Sequence, residues 1–245
     1  MSKPTGKITR TVRSEQVLKA FVEVVRKNMP LDLKNTRITT EDIIYALAYA
    51  NIHRLSIESA CQELQDAPSG NRLREVLVDA LPDRTGLQRM LNRIFRQQLH
   101  PSVWKCKRDF NIAIDLTLIP YHGQPYEDKK EIVRSLPKSG TTHFHGYATV
   151  SIVRDNRRYV LALRFIEYGQ EMADIVRWLL KRLKSFKIRI RRVFLDKGFC
   201  SKPVFKVLSQ HKLSYVIPMP IRGKSGGVRS LFQGKSRKTN YTFNS

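Results

Sequence analysis

Residues 110–119 read FNIAIDLTLI. Phe110, Ile112, Ile114, Leu116 and Leu118 alternate with Asn111, Ala113, Asp115 and Thr117. A period of two places the first set on one face of an extended strand and the second on the other. One residue is out of character in a strand that otherwise reads as buried. An ionised carboxylate is costly to bury unless a cation or metal compensates it, so Asp115 is a candidate for chemistry. A second apolar run, Ile188 to Leu195, finishes at Asp196. If the two strands are neighbours in one sheet, both carboxylates project at the same edge. That arrangement suits hard divalent cations. Magnesium accepts carboxylate and phosphate oxygens, and two ions about 4 Å apart stabilise attacking and leaving oxygens in phosphoryl transfer. The plain alternative pairs each aspartate with a nearby Lys or Arg.

Outward from this strand the pattern continues as a mixed α/β domain. A polar loop is expected after Ile119. Tyr147 to Val153 and Tyr159 to Ile166 then flank Asp155-Asn156, a pair suited to a hairpin turn between antiparallel strands. After Gly169, Ile175, Val176, Leu179, Leu180 and Leu183 recur with helical spacing. Ser201 and Pro203 open another helix through Val204, Val207 and Leu208, and Tyr215 to Ile217 forms a short strand before Pro218 and Pro220. Residues 221–245, rich in Gly, Ser, Lys and Arg, are expected to be poorly ordered or incomplete.

Upstream the period is 3.6 throughout. Residues 1–13 are basic and without period and read as a flexible arm. Ser14 is the expected N-cap of a helix through Val17, Leu18, Phe21, Val22 and Val25, ended by Pro30. Thr39 or Thr40 caps a second helix through Ile43, Ile44, Leu47 and Ala48. After a break at Asn51 to Leu55, a third begins at Ser56. Two short helices across a tight turn suggest a DNA-reading helix-turn-helix, although the same spacing describes any small helical bundle. Leu73, Val76, Leu77 and Leu81 predict a fourth helix. Leu87, Met90, Leu91, Ile94, Phe95 and Leu99 predict a fifth, after Pro82 and Asp83. The period changes near Pro101. The expected organisation is an arm at 1–13, an all-helical DNA-binding domain at 14–104, and an α/β domain at 105–245.

Composition narrows the class of partner. The chain has 245 residues, 41% of them hydrophobic, which supports a packed core and excludes collagen, a disulfide scaffold and wholesale disorder. Forty-five Lys and Arg against 21 Asp and Glu give a formal charge of +24, the balance of a polyanion binder. Residues 1–108 carry 19 basic and 11 acidic side chains, and residues 109–245 carry 26 and 10. The second half is the more electropositive. No run approaches the roughly 18 apolar residues of a membrane span, and the start, MSKPTGKITRTVR, lacks a secretory apolar segment, so the expected location is the cytoplasm. Cys61, Cys106 and Cys200 are too dispersed for a disulfide framework or a CxxC metal site.

Eight basic residues fall between positions 177 and 192 without an acid among them: Arg177, Lys181, Arg182, Lys184, Lys187, Arg189, Arg191 and Arg192. Such a stripe binds phosphates and gives position without sequence choice. Lys197 extends it, as would Arg222, Lys224, Arg229, Lys235, Arg237 and Lys238. His143 and His145 form an HxH, with His122 after the first strand, but no further ligand has metal-site spacing around them. GxxxxGK[ST] is absent, so the glycines make no phosphate loop. Trp104 and Trp178 read as core or interface residues.

Two segments resemble a known family. IAIDLTLIPYHG at 112–123 and VFLDKGF at 193–199 look like the first and second acidic motifs of the DDE transposases of the IS-four type, insertion-sequence enzymes with an RNase H-like catalytic fold. The resemblance covers roughly residues 40–245, and the second motif is the more specific. It implies metal-dependent DNA strand cleavage and strand transfer with two Mg2+ (or Mn2+) ions held by three carboxylates. Water attack frees a 3′ hydroxyl at the element's end, and that hydroxyl attacks target DNA. On the match, Asp115 bridges the metals and Asp196 completes one side. The implied partners are double-stranded DNA, as element ends and target, and a second copy of the chain, with no membrane.

The family's third carboxylate is a glutamate on a helix downstream of the second aspartate. Residues 197–245 contain ten Lys or Arg and no Asp or Glu. Two expectations follow: a truncated or split transposase, which is the favoured one, or a different third acid among Glu167, Glu171 and Asp174. Glu171 has a simpler reading as a first-turn acid facing a helix dipole. The competing function is a non-catalytic DNA-binding transposase remnant or basic nucleic-acid-binding protein.

Overall fold

The computed structural model describes residues 13–34, 36–99, 103, 108–123, 129–154, 157–221 and 227–231. The expected basic arm, Trp104, Cys106, the Asp155-Asn156 turn and most of the basic tail lie outside the described residues. The chain divides into two compact units, residues 1–97 and 98–245.

The elements described in the first unit are helices: α1 (Ser14–Asn28), α2 (Thr40–His53), α3 (Ile57–Glu63), α4 (Gly70–Ala80) and α5 (Arg84–Gln98). Ser14 is the first helical residue and Arg13 the cap, its backbone N–H donating to Gln16 Oε1 at 3.0 Å. Thr39 caps α2 reciprocally: Thr39 Oγ1 accepts from the Asp42 backbone N–H at 3.2 Å, and Asp42 Oδ2 accepts from the Thr39 N–H at 2.8 Å. The helix does not break at Asn51. It runs to His53 and stops where Arg54 takes a left-handed φ of 58°, after which Ser56 caps α3 by accepting from the Ser59 N–H at 3.0 Å. Ile43, Ala46, Cys61, Leu73, Val76 and Leu77 form one small core and Val22, Val25, Ile44 and Ile94 another. At the start of α4 a Cβ on Gly70 would lie 2.6 Å from Glu58 Cα, so the absent side chain is what lets α4 meet α3.

The second unit is built on one six-stranded sheet. Its elements are β1 (Phe110–Pro120), β2 (Val133–Lys138), β3 (Thr141–Arg154), β4 (Arg157–Ile166), α6 (Met172–Ser185), β5 (Ile190–Leu195), α7 (Lys202–Gln210) and β6 (Tyr215–Val216). The sheet order is β2-β3-β1-β5-β6, with β4 also paired to β3. β1, β3 and β4 are antiparallel neighbours, whereas β1–β5 and β5–β6 are parallel. The expected polar loop after β1 contains β2, an exposed edge strand with Pro137, a residue tolerated only where a ladder bond is dispensable.

The period-two apolar set of β1 faces the core as read: Ile112 and Ile114 are buried with Ala148, Val150, Ile152 and Ala162. Against them pack Ile175, Val176, Leu179, Leu180 and Leu183 of α6 and Val204, Val207 and Leu208 of α7, the stripe of a helix with one apolar face. Among the described residues no helix is long and apolar enough to cross a membrane.

Three substitutions test the packing within the units. Leu179→Ala, at 0% exposure, should cost about 2–5 kcal/mol in urea unfolding, while Leu136→Ala, at 84% exposure, should stay within about 0.5 kcal/mol. Gly70→Ala should destabilise by about 1–3 kcal/mol, because the atom it meets is backbone and cannot swing away.

Candidate active site

Asp115 and Asp196 reach the same edge through strand pairing. β1 and β5 run parallel in a register that aligns Ile112 with Val193, Ala113 with Phe194 and Ile114 with Leu195. Asp115, midway along β1, and Asp196, just past the end of β5, follow one step on from the last of these pairs. Neighbouring strands lie about 4.8 Å apart, so the two backbones hold the carboxylates side by side. The turn after β5 closes on β1: a Cβ on Gly198 would be 3.4 Å from Leu116 Cδ2 and 3.9 Å from Asp196 Oδ2.

Each carboxylate is braced by the next backbone amide. Leu116 N–H donates to Asp115 Oδ1 at 3.0 Å, and Lys197 N–H donates to Asp196 Oδ1 at 2.6 Å, where Asp196 caps the short 3-10 turn Lys197–Phe199. Neither acid is buried. The Asp115 side chain is 51% exposed, and Asp196 is exposed outright. The compensating cation is Arg158 of β4, with Nη1 3.7 Å from Asp115 Oδ2 and 69% exposure. A loose, solvated pair of this kind contributes about 0–1 kcal/mol, so Asp115 is not a structural ion-pair residue. Sequence reasoning missed Arg158. It shares the face of Asp115 because of an irregularity in the β3–β4 ladder, where Val150 pairs with Ala162 but Ser151 with Val160.

The other candidate acids stand apart. β4 ends at the same side of the sheet, yet its Leu163 is level with Asp115 across Thr149. Glu167 is therefore two strands over, about 10 Å, and four residues further on, about 13 Å. Glu171 is exposed at the N-cap of α6, and Asp174 is engaged by Arg177. His143 and His145 share the face of Asp115 on β3, but His145 pairs with Ile119, four residues past Asp115, and its ring meets Tyr121 edge-on at 5.3 Å. Among the described residues there is no group of three or more His, Cys, Asp or Glu able to hold a metal.

The basic stripe divides. Lys181 and Lys184 are exposed on α6, Arg182 lies over the Phe186 ring at 5.2 Å, and Lys187 forms the left-handed turn after the helix. Arg189 pairs with Asp109 at 2.8 Å, and Arg191 and Arg192 are exposed at the start of β5, the end remote from Asp196. Lys197, exposed beside Asp196, is the cation of the set that adjoins the acids. Cys61 is buried and Cys200 partly so, neither in a disulfide.

Because Asp115 is half-exposed and only loosely paired, Asp115→Asn should leave unfolding free energy within about 1 kcal/mol of the wild type. A loss of about 3 kcal/mol or more in urea titration would mark it instead as one half of a structural pair.

The family described as "Transposase DDE domain" matches residues 111–240, a span that contains both aspartates. No curated protein matches the chain. Among solved structures, the piggyBac transposase synaptic complex with hairpin DNA is similar at 15% identity and a TM-score of 0.46, over 92% of this chain and 52% of that one. The Drosophila P element transposase strand transfer complex is similar at 13% identity and a TM-score of 0.28, over 82% of this chain and 43% of that one. The chain thus spans about half the length of the solved transposases it resembles. With more than half of its residues matched by the family, the chain belongs to the DDE-domain transposases.

Proposed function

We propose that this chain is an insertion-sequence transposase of the IS-four kind, which cuts and joins double-stranded DNA on an RNase H-like sheet, with Asp115 and Asp196 as the catalytic carboxylates. One observation carries the reading: the β1–β5 register that sets the two acids level. Strand order supports the fold, with three antiparallel strands continued by two parallel ones through helical crossovers. The helices of the first unit are assigned to element ends, two copies act together on a pair of ends, and the setting is the cytoplasm.

The donor set fits a divalent cation. Two solvent-accessible carboxylates, one on β1 and one just past the adjacent β5, offer hard oxygens at little desolvation cost, and magnesium is commonly held by one or two carboxylates with waters and substrate phosphates completing its shell. Asp115 and Asp196 would hold it, and when bound it supplies charge stabilisation to a phosphate undergoing in-line attack. The chain's own groups prepare the edge. The Leu116 and Lys197 amides each hold Oδ1 of one carboxylate, and neither of these bonds takes up Oδ2. Lys197 offers a cation to phosphate oxygens beside Asp196, and Arg158 can leave Asp115 at small cost because its pair is solvated.

A second reading, a DNA-binding relative without cleavage activity, is favoured by one fact: among the described residues no third Asp, Glu, His or Cys joins the two aspartates in a metal-holding group. A metal-dependent nicking assay on duplex DNA separates the two. Cleavage in Mg2+ or Mn2+, reduced roughly 100-fold or more by Asp115→Asn and by Asp196→Asn while both variants still bind DNA, is the expected result. Binding without metal-dependent cleavage in the wild type would establish the second reading. Nicking abolished by Glu171→Gln would make that residue the third acid despite its place at the helix cap.

A further inference from the structure

At the other end of the sheet, where β1 and β5 begin and β3 finishes, a cleft of about 270 Å3 is lined by Arg108, Asp109, Asn111, Arg154 and Arg191 among others. Its three arginines come from chain positions far apart and are joined only by topology: Asn111 pairs with Val153 across β1–β3, and Phe110 pairs with Ile190 across β1–β5. All three are exposed. The acid of the lining, Asp109, is already engaged by Arg189 at 2.8 Å, so among the described lining residues three arginines stand against one acid that is already paired. Arg157, opposite Arg154 in the β3–β4 ladder, and Arg192, opposite Asn111, extend the positive rim.

Exposed guanidinium groups gathered at one cleft favour an anion that joins them. The planar fork of arginine matches phosphate oxygens two at a time. The volume falls just below the roughly 300–1,000 Å3 of small-molecule pockets, which suits a phosphodiester segment better than a whole organic ligand. We propose that this cleft is a phosphate-binding site, separate from the aspartate edge, and that its phosphate comes from the DNA backbone. Asn111 and Asp115 are four residues apart on β1, about 13 Å, which corresponds to about four base steps of duplex at 3.4 Å each. A duplex engaged at Asp115 and running along β1 is therefore gripped a few steps from the site of chemistry. The source of the phosphate rests on the transposase reading; the cleft's affinity for phosphate does not.

The test is binding of a labelled duplex to the full chain without divalent metal, between 50 and 200 mM salt. The variant is Arg108→Gln/Arg154→Gln/Arg191→Gln, and the charge-matched control is Lys138→Gln/Lys202→Gln/Lys206→Gln, exposed lysines elsewhere on the same unit, with circular dichroism confirming that both fold. Loss of three phosphate contacts should lower affinity at least about tenfold and flatten the salt slope by about 2–3, since each contact contributes about 0.9; the control should flatten it by less than about 1. Unchanged binding in the arginine variant, or an equal loss in the control, overturns the site while leaving the transposase reading intact. A wild-type chain that ignores duplex but binds tripolyphosphate, with binding lost in the arginine variant, upholds the phosphate site and removes DNA as its source. Binding of neither probe overturns the site.

Discussion

The parallel pairing of β1 with β5 is the constraint on which the rest depends. Side chains alternate with a period of two, so a slip of one residue in either strand would turn its aspartate from the open face into the core and expose Ile114 or Leu195 in exchange. The register is therefore held by the apolar residues. Ile112, Ile114, Val193 and Leu195 are each 4% exposed or less, and each fully buried aliphatic side chain contributes about 1.5–3 kcal/mol. The acids come level because their neighbours are buried. β5 stops at Leu195, level with Ile114, while β1 runs on to Pro120, so the turn after β5 opens beside the middle of β1, past the carboxyl end of a parallel strand, the usual place for ligands in sheets of this kind.

Much of this was legible in the chain, for physical reasons. Strict alternation marks β1, and the spacing 175, 176, 179, 180, 183 marks α6, because a buried face leaves its period in the sequence. β2 left none: VRSLPK is nearly all exposed, so nothing selected apolar residues at alternate positions. The early part of β3, Thr141 to Gly146, is polar for much of its length and was read as loop. The run through Asn51 to His53 looked like a break for lack of apolar residues, but α2 needs none there, since Asn51, Ile52 and His53 are exposed.

The candidate site was legible only in part. An aspartate in one apolar strand and another at the end of a second can be found by eye, but their adjacency depends on strand order, which periodicity does not encode. Arg158 was invisible for a further reason: the ladder irregularity between Val150 and Ser151 decides which face it joins. The arginine stripe at 177–192 misled in the opposite way. Nearness in sequence suggested one track, whereas the helix and the strand that share it carry its members to different parts of the unit, and Arg191 finds its companions in Arg108 and Arg154 instead.

Net charge explains why the two ends of the sheet differ so sharply. In a chain of +24, an exposed acid has many cations available, yet Asp115 takes one at 3.7 Å and leaves it solvated. At the far end, by contrast, Asp109 is claimed directly by Arg189, in a cleft that Arg108, Arg154 and Arg191 also line. The strands between the two ends are packed on α6 and α7 and do not flex independently. A polyanion drawn in by the general field thus meets two fixed features a set distance apart: an edge whose acids repel phosphate unless a cation intervenes, and a cleft that attracts phosphate without one. Attraction at the cleft can hold the backbone in place while the acidic edge stays closed to it until a divalent ion arrives.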